Sequence, residues 1–247
     1  HKKGDRDDIS NWRPIALANT IAKAYASVLA ERLGNWAVRN GRVSESQKGF
    51  MPVDGCAEHN FVLQSIITDA RRNGKQCCVA WLDLTNAFGS VPHHTIFEAL
   101  KWAGLHEDAI QVVRHLYADT TTSVRTSTGP TPAIPIKAGV KQGYPLSPIF
   151  FNLAIEPILR AVGALNVGYR MQESKIDTLA YADDVVLITP KPEDLQRLLD
   201  VTTTVARWAG LTFNARKCAT LHINGKHREA VPTRFTIPKR RTSRAHE

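Results

Sequence analysis

Two adjacent carboxylates inside an apolar, β-favouring run constrain this chain more than any other feature. Thr178-Leu179-Ala180-Tyr181 leads into Ala182-Asp183-Asp184, and Val185-Val186-Leu187-Ile188 leads away. The simplest geometry is a hairpin carrying Asp183 and Asp184 at its tip. Adjacent like charges repel, so a fold gains by holding them together only when positive charge sits opposite. A hard divalent cation with oxygen ligands answers that need. A solvated Asp-Asp turn explains the pair equally well, because Asp favours turns for its own reasons.

A second run breaks the tie. Val79-Ala80-Trp81-Leu82-Asp83-Leu84 reads as a buried strand with a lone acid in its middle. A carboxylate there costs several kcal/mol unless it is paired or metal-bound. Asp183 is the expected partner. Two such strands side by side would form an oxygen cluster able to hold two Mg²⁺ ions about 3.5–4 Å apart.

Further blocks surround these acids. Asn11-Trp12-Arg13-Pro14-Ile15, Gln47-Lys48-Gly49-Phe50, the Asp83 strand running to Ala87-Phe88, Gly139-Val140-Lys141-Gln142-Gly143-Tyr144-Pro145-Leu146-Ser147-Pro148, Tyr181-Ala182-Asp183-Asp184 and Gly210-Leu211-Thr212-Phe213-Asn214 follow in order. Together they resemble a reverse transcriptase of the non-long-terminal-repeat (LINE-type) retrotransposon class, from about residue 2 to about residue 218. Residue 1 is not Met and the opening residues resemble the interior of a family block, so the chain reads as a fragment.

The resemblance implies an α+β right-hand polymerase: fingers over 1–75 with part of 119–140, palm over 76–235, a basic and disordered tail over 236–247, and no thumb. It implies two Mg²⁺ ions, replaceable by Mn²⁺, held by Asp83, Asp183, Asp184 and the carbonyl of Leu84. Lys217 would be a proton donor to pyrophosphate. Phe88 would pack under the sugar of the incoming nucleotide and exclude a 2′-hydroxyl, although a core Phe at a strand end is the plain alternative. Gln142, Lys48 and Arg13 would contact nucleotide or triphosphate, and Gly139, Lys141, Gly143 and Tyr181 would contact template or primer. The expected partners are an RNA template, a DNA primer and dNTPs. Lys141 stands where Arg is common, Tyr144 where a smaller or acidic residue is frequent, and Gly89 where an acid usually follows Ala-Phe. A catalytically inactive nucleic-acid-binding relic, or a reverse transcriptase of group II intron or retron type, is the alternative reading.

Composition agrees with a polyanionic partner. Lys and Arg number 32 against 23 Asp and Glu, a net charge of +9, which favours nucleic acid. The 43% hydrophobic content supports a real core and excludes a disordered tail. Cys56, Cys77, Cys78 and Cys218 lack metal-ligand spacing and read as reduced, mostly buried thiols, so an intracellular, reducing compartment is expected, nuclear at the time of action in a eukaryote. No 18-residue apolar stretch is evident, and no membrane role is expected. The nine His show no zinc spacing; His93-His94 reads as polar capping surface.

Periodicity places helices at about 19–34 (stopped by Gly34), 54–72 (capped by Asp54), 94–103, 106–118, 147–163 (distorted by Pro157) and from Pro192 to about 209. Thr121–Thr128 and Ile134–Val140 read as a hairpin turned by Gly129-Pro130, and Asn224-Gly225 as a tight turn. The sum is a four-stranded antiparallel sheet backed by helices.

Overall fold

The computed structural model describes residues 5–8, 11–12 and 15–238. The chain divides into two compact units, His1–Arg42 with Phe88–Ala154 and Val43–Ala87 with Ile155–Glu247. Each joins two separated stretches of chain, so the boundary expected near 75 and 76 is not where the units part. Residues 239–247 of the expected tail lie outside the described residues.

Helix α1 (Thr20–Arg39) is capped by Asn19, whose side chain accepts the Ile21 N–H. It runs through Gly34 instead of stopping there. A glycine inside a helix costs only about 1 kcal/mol, and the helix continues to bury Ala37 completely. Helix α2 (Gly55–Arg72) starts at the expected cap, with the Asp54 side chain accepting the Ala57 N–H. Strand β1 (Cys77–Asp83) follows, then the single turn α3 (Ala87–Ser90) and the pair α4 (His93–Trp102) and α5 (Glu107–Tyr117). Strands β2 (Thr121–Thr122), β3 (Arg125–Thr126), β4 (Gly129–Pro130) and β5 (Ile134–Pro135) nest as a ribbon. In that ribbon β3 pairs β4 inside the β2–β5 pair, so Gly129-Pro130 is a strand and the turn falls at Ser127-Thr128.

Helix α6 (Ser147–Leu165) contributes its first half to one unit and its second half to the other. It is long and apolar enough to cross a membrane by length and composition, which corrects the expectation that no such stretch exists. More than half of it is buried within the protein, as in a core helix. A short hairpin, β6 (Tyr169–Met171) and β7 (Ser174–Ile176), precedes β8 (Thr178–Tyr181) and β9 (Asp184–Thr189). Helix α7 (Pro192–Trp208) has its proline in the first turn, and β10 (Ala219–Asn224) and β11 (Glu229–Ala230) close the series.

The main sheet has five strands, not four, in the order β11-β10-β1-β9-β8, and every pairing is antiparallel. Its central strand β1 is buried on both faces. Cys78, Ala80 and Leu82 pack with Leu187, with Leu159 and Val162 of α6, and with Leu195, Leu198 and Leu199 of α7. Cys77 and Val79 pack on the opposite face with Ile188, Ile223, Tyr169 and Ile66 of α2. Each fully buried aliphatic side chain contributes about 1.5–3 kcal/mol. Burial pushes the thiols of Cys77 and Cys78 up to about 12, whereas Cys218 is half-buried and Cys56 is exposed.

Asn224-Gly225 begins a longer loop instead of forming a two-residue turn, since Asn224 pairs with Glu229 and the positive φ falls on Arg228. Gly225 is needed for close approach: an added Cβ would sit 2.3 Å from the Gly74 carbonyl oxygen. Gly225→Ala is therefore expected to lose about 1–3 kcal/mol, read as a lower urea midpoint with unchanged slope. An unchanged midpoint would show that the two loops separate freely.

Candidate active site

The register of the central strands brings the acids together. Asp83 is the last residue of β1, Asp184 is the first of β9, and the two are directly paired across the ladder. Asp83 thus sits at the strand end with its side chain 31% exposed, not in the middle of the buried run. Its opposite number is Asp184 and not Asp183. Asp183 lies beside them in the two-residue turn between Tyr181 and Asp184, which also pair. Directly opposed like charges destabilise a sheet, so this arrangement calls for a cation.

Two observations measure that demand. Asp184 is exposed as a residue, yet partial burial of its carboxyl, then the charges of Asp183 and Asp83, push it above its ordinary 3.8, with Lys217 pulling the other way. The Oδ1 atom of Asp83 is buried and receives no hydrogen bond. Its ionic neighbour is the Lys217 ammonium at 3.4 Å, close enough for attraction without hydrogen-bond alignment.

The segment after α7 explains how Lys217 gets there. Asn214 donates its N–H to the Asp83 carbonyl, and Thr85 donates to the Thr212 carbonyl, both at 2.8 Å. These bonds flank the Leu84–Phe213 bridge, making it a non-hydrogen-bonded pair whose own polar groups point away from each other. The Leu84 carbonyl is therefore not used by this segment. Beyond Phe213 the pairing slips out of the β1–β10 register, and the extra residues form a turn that carries Lys217.

The donor set fits a divalent cation. Asp83 and Asp184 offer facing hard oxygens, one buried and unpartnered by hydrogen bonds, with Asp183 next along the turn. Among the described residues no group of three or more His, Cys, Asp or Glu side chains is arranged to hold a metal ion, so the facing pair of Asp83 and Asp184 is what the structure offers a cation.

Sequence reasoning gave Gln47 no contact of its own, yet it is 2% exposed and grips the acidic turn. Its Oε1 accepts the N–H groups of Ala182 at 2.9 Å and Gly49 at 2.7 Å. The signal in the sequence was the Gln47-Lys48-Gly49-Phe50 block itself. Lys48, expected at nucleotide, is paired with Glu58 at 3.2 Å. Tyr181 is exposed at the end of β8.

The remaining expected residues belong to the other unit. Phe88 lies flat on Phe151, with ring centroids 4.4 Å apart and planes 12° apart. The Phe88 carbonyl accepts the Val140 N–H at 2.7 Å, tying the Gly139–Pro148 loop to this turn. Gly139 and Gly143 take positive φ, +91° and +88°. The Gln142 carbonyl accepts from Ala16 N–H at 2.8 Å. The Lys141 ammonium sits 5.4 Å from the ring centroids of both Tyr117 and Tyr144, and burial lowers its pKa. His93 is half-buried edge-on to Tyr117 at 4.6 Å, with burial lowering its pKa, so it is a packing residue and not capping surface. Arg13 lies outside the described residues.

Comparison with known proteins converges on one family. Residues 1–241 match the family described as reverse transcriptase (RNA-dependent DNA polymerase). The chain is 32% identical over 222 residues to the retrovirus-related Pol polyprotein from type-2 retrotransposable element R2DM of Drosophila melanogaster, covering 89% of this chain and 20% of the relative. It is 32% identical over 233 residues to the corresponding polyprotein from type-1 retrotransposable element R2 of Popillia japonica, covering 94% of this chain and 32% of that one. The chain thus spans about a fifth to a third of these curated relatives. Among solved structures it is similar to the telomerase of Candida tropicalis in complex with a fragment of telomeric RNA, with TM-score 0.60 at 14% identity, covering 86% of this chain and 37% of that one. That likeness speaks to the fold alone.

The raised Asp184 pKa fixes a sign. Above 3.8 the folded chain binds more protons than the unfolded one, so stability falls as pH rises through the shifted value. Without divalent ions, Asp184→Asn is expected to raise Tm at neutral pH by about 1–3 °C. The gain should fade as pH falls toward 3.8, and added Mg²⁺ should raise the Tm of the parent more than that of the variant. Equal melting at neutral pH would mean that the facing charges carry no penalty.

Proposed function

The chain belongs to the reverse transcriptase family, and on that premise we propose that it forms the fingers and palm of an RNA-directed DNA polymerase of a non-long-terminal-repeat retrotransposon, adding dNTPs to a primer 3′-hydroxyl on an RNA template. The carrying observation is the facing of Asp83 and Asp184 with the buried Asp83 Oδ1 lacking a hydrogen bond. The retrotransposable-element origin of the relatives and the net charge of +9 support the element class and the polyanionic partners.

The family uses divalent metal ions. Here Asp83, Asp184, Asp183 and the Leu84 carbonyl would hold Mg²⁺, with Mn²⁺ suited to the same oxygens. When bound, such ions acidify the primer hydroxyl and neutralise the triphosphate. The chain's own task is to position and to balance charge. Lys217, more than half exposed and joined to Asp83 by a side-chain ion pair at 3.4 Å, can turn and give its proton to the leaving pyrophosphate. Phe88, held flat on Phe151, has the rigidity that exclusion of a 2′-hydroxyl needs. Gln142 and the glycines of its loop, with Tyr181, are proposed contacts to nucleotide, template or primer. Lys48 and Lys141 are proposed for the same surfaces and would first leave Glu58 and the two tyrosine rings.

Primer extension on an RNA template with Mg²⁺ tests the reading. Asp83→Asn is expected to slow nucleotide addition by at least about 10²-fold while leaving template–primer retention on a filter intact. Undiminished extension overturns the assignment, and retention without extension by the parent chain supports the inactive relic. Phe88→Val is expected to raise ribonucleotide incorporation; an unchanged ratio makes Phe88 a packing residue only.

A further inference from the structure

We propose that Gln47 is the positioning residue of the acidic turn: its side-chain amide fixes the Ala182 peptide and through it the direction of Asp183. The proposal deepens the polymerase reading and rests on it for its catalytic consequence. Ala182 has φ +53°, a left-handed conformation that costs a non-glycine residue of order 1–3 kcal/mol and persists only where its surroundings impose it. The two-residue turn between Tyr181 and Asp184 asks for this φ at its first position, and Gln47 holds the peptide there. Its Oε1 accepts the Ala182 N–H, and its Nε2 reaches the Ala182 carbonyl at 3.4 Å, so one amide engages both backbone groups of the strained residue.

The frame behind Gln47 is stiff. Its backbone lies alongside β8 as a parallel bridge to Ala180, with the Ala180 N–H donating to Ser46 and the Lys48 N–H donating to Ala180, both at 2.8 Å. Upstream, Ser44 donates its N–H and hydroxyl to the fully buried Glu156 of α6, at 3.0 and 2.5 Å. On the other side, His59 of α2 places Nε2 3.0 Å from the Ser46 carbonyl and 3.1 Å from that of Ala180. Gly49 completes the seat: a Cβ there would lie 2.1 Å from the Ala182 nitrogen. The same Oε1 also accepts the Gly49 N–H, so Gln47 ties the seat to the turn. Asp183 directly follows the clamped residue and Asp184 follows it, so a rotation of the Ala182 peptide would swing Asp183 away.

Gln47→Met keeps length and volume and removes the hydrogen bonds, so a role in packing alone leaves it near the parent. Amide exchange followed by NMR without metal or nucleic acid should show the Ala182 and Gly49 amides about 10-fold faster in Gln47→Met, with the β1 and β9 amides unchanged. Primer extension by Gln47→Met should lose about 10²-fold in kcat with little change in KM for dNTP. Unchanged Ala182 exchange, or a uniform loss of protection across the sheet, overturns the proposal. If the parent itself extends no primer while the exchange pattern holds, the polymerase reading falls and the hold of Gln47 on the turn stands.

Discussion

Two carboxylates face each other at the ends of β1 and β9, and their repulsion must be contained before anything else at that end of the sheet can work. Containment begins in the core. β1 is covered on both faces and flanked by β9 and β10, so the backbone bearing Asp83 has nowhere to retreat. At the rim, two separate segments meet the acids: the stretch after α7, with Asn214 on the Asp83 carbonyl and Lys217 on its carboxylate, and Gln47 on the turn beside Asp183. The apolar packing supplies rigidity, and the polar rim supplies direction.

The acids were legible in the sequence because a charge among Val, Leu and Ile demands an explanation. Their pairing was not, because periodicity fixes faces but not register: only the ladder decides that Asp83 meets Asp184 and leaves Asp183 in the turn. Asp54 and Pro192 announced their helices through capping chemistry that acts over a few residues. Gly34 misled because its penalty is small beside the burial gained further along α1. The β6–β7 hairpin, turned at Gln172 and Glu173 with Gln172 at φ +53°, and the two-residue β11 carry too few apolar positions to register as periodic. Gln47 was marked only by the block it opens: its partners are backbone groups, Gly49 two residues on and Ala182 far along the chain, and no side-chain pattern records a bond to a peptide.

The unit that holds Phe88–Ala154 shows the same economy with a basic group. Lys141 rests between Tyr117 and Tyr144, so a residue that would be a solvated charge on an open loop is held partly dry. Its carbonyl accepts from the Ser147 hydroxyl at 2.6 Å, which fastens the Gly139–Pro148 loop to the start of α6. Phe88 is likewise committed, stacked on the Phe151 of that helix. Lys141 and Phe88 are thus each held in a definite local environment.

Lys217 gives the acidic end of the sheet a resident counter-ion on a leash. One ammonium faces three carboxylates there, so that end of the sheet keeps an excess of formal negative charge even in the lysine's presence. The contact that offsets part of it is made by a side chain at 3.4 Å, and no backbone bond of the sheet depends on it.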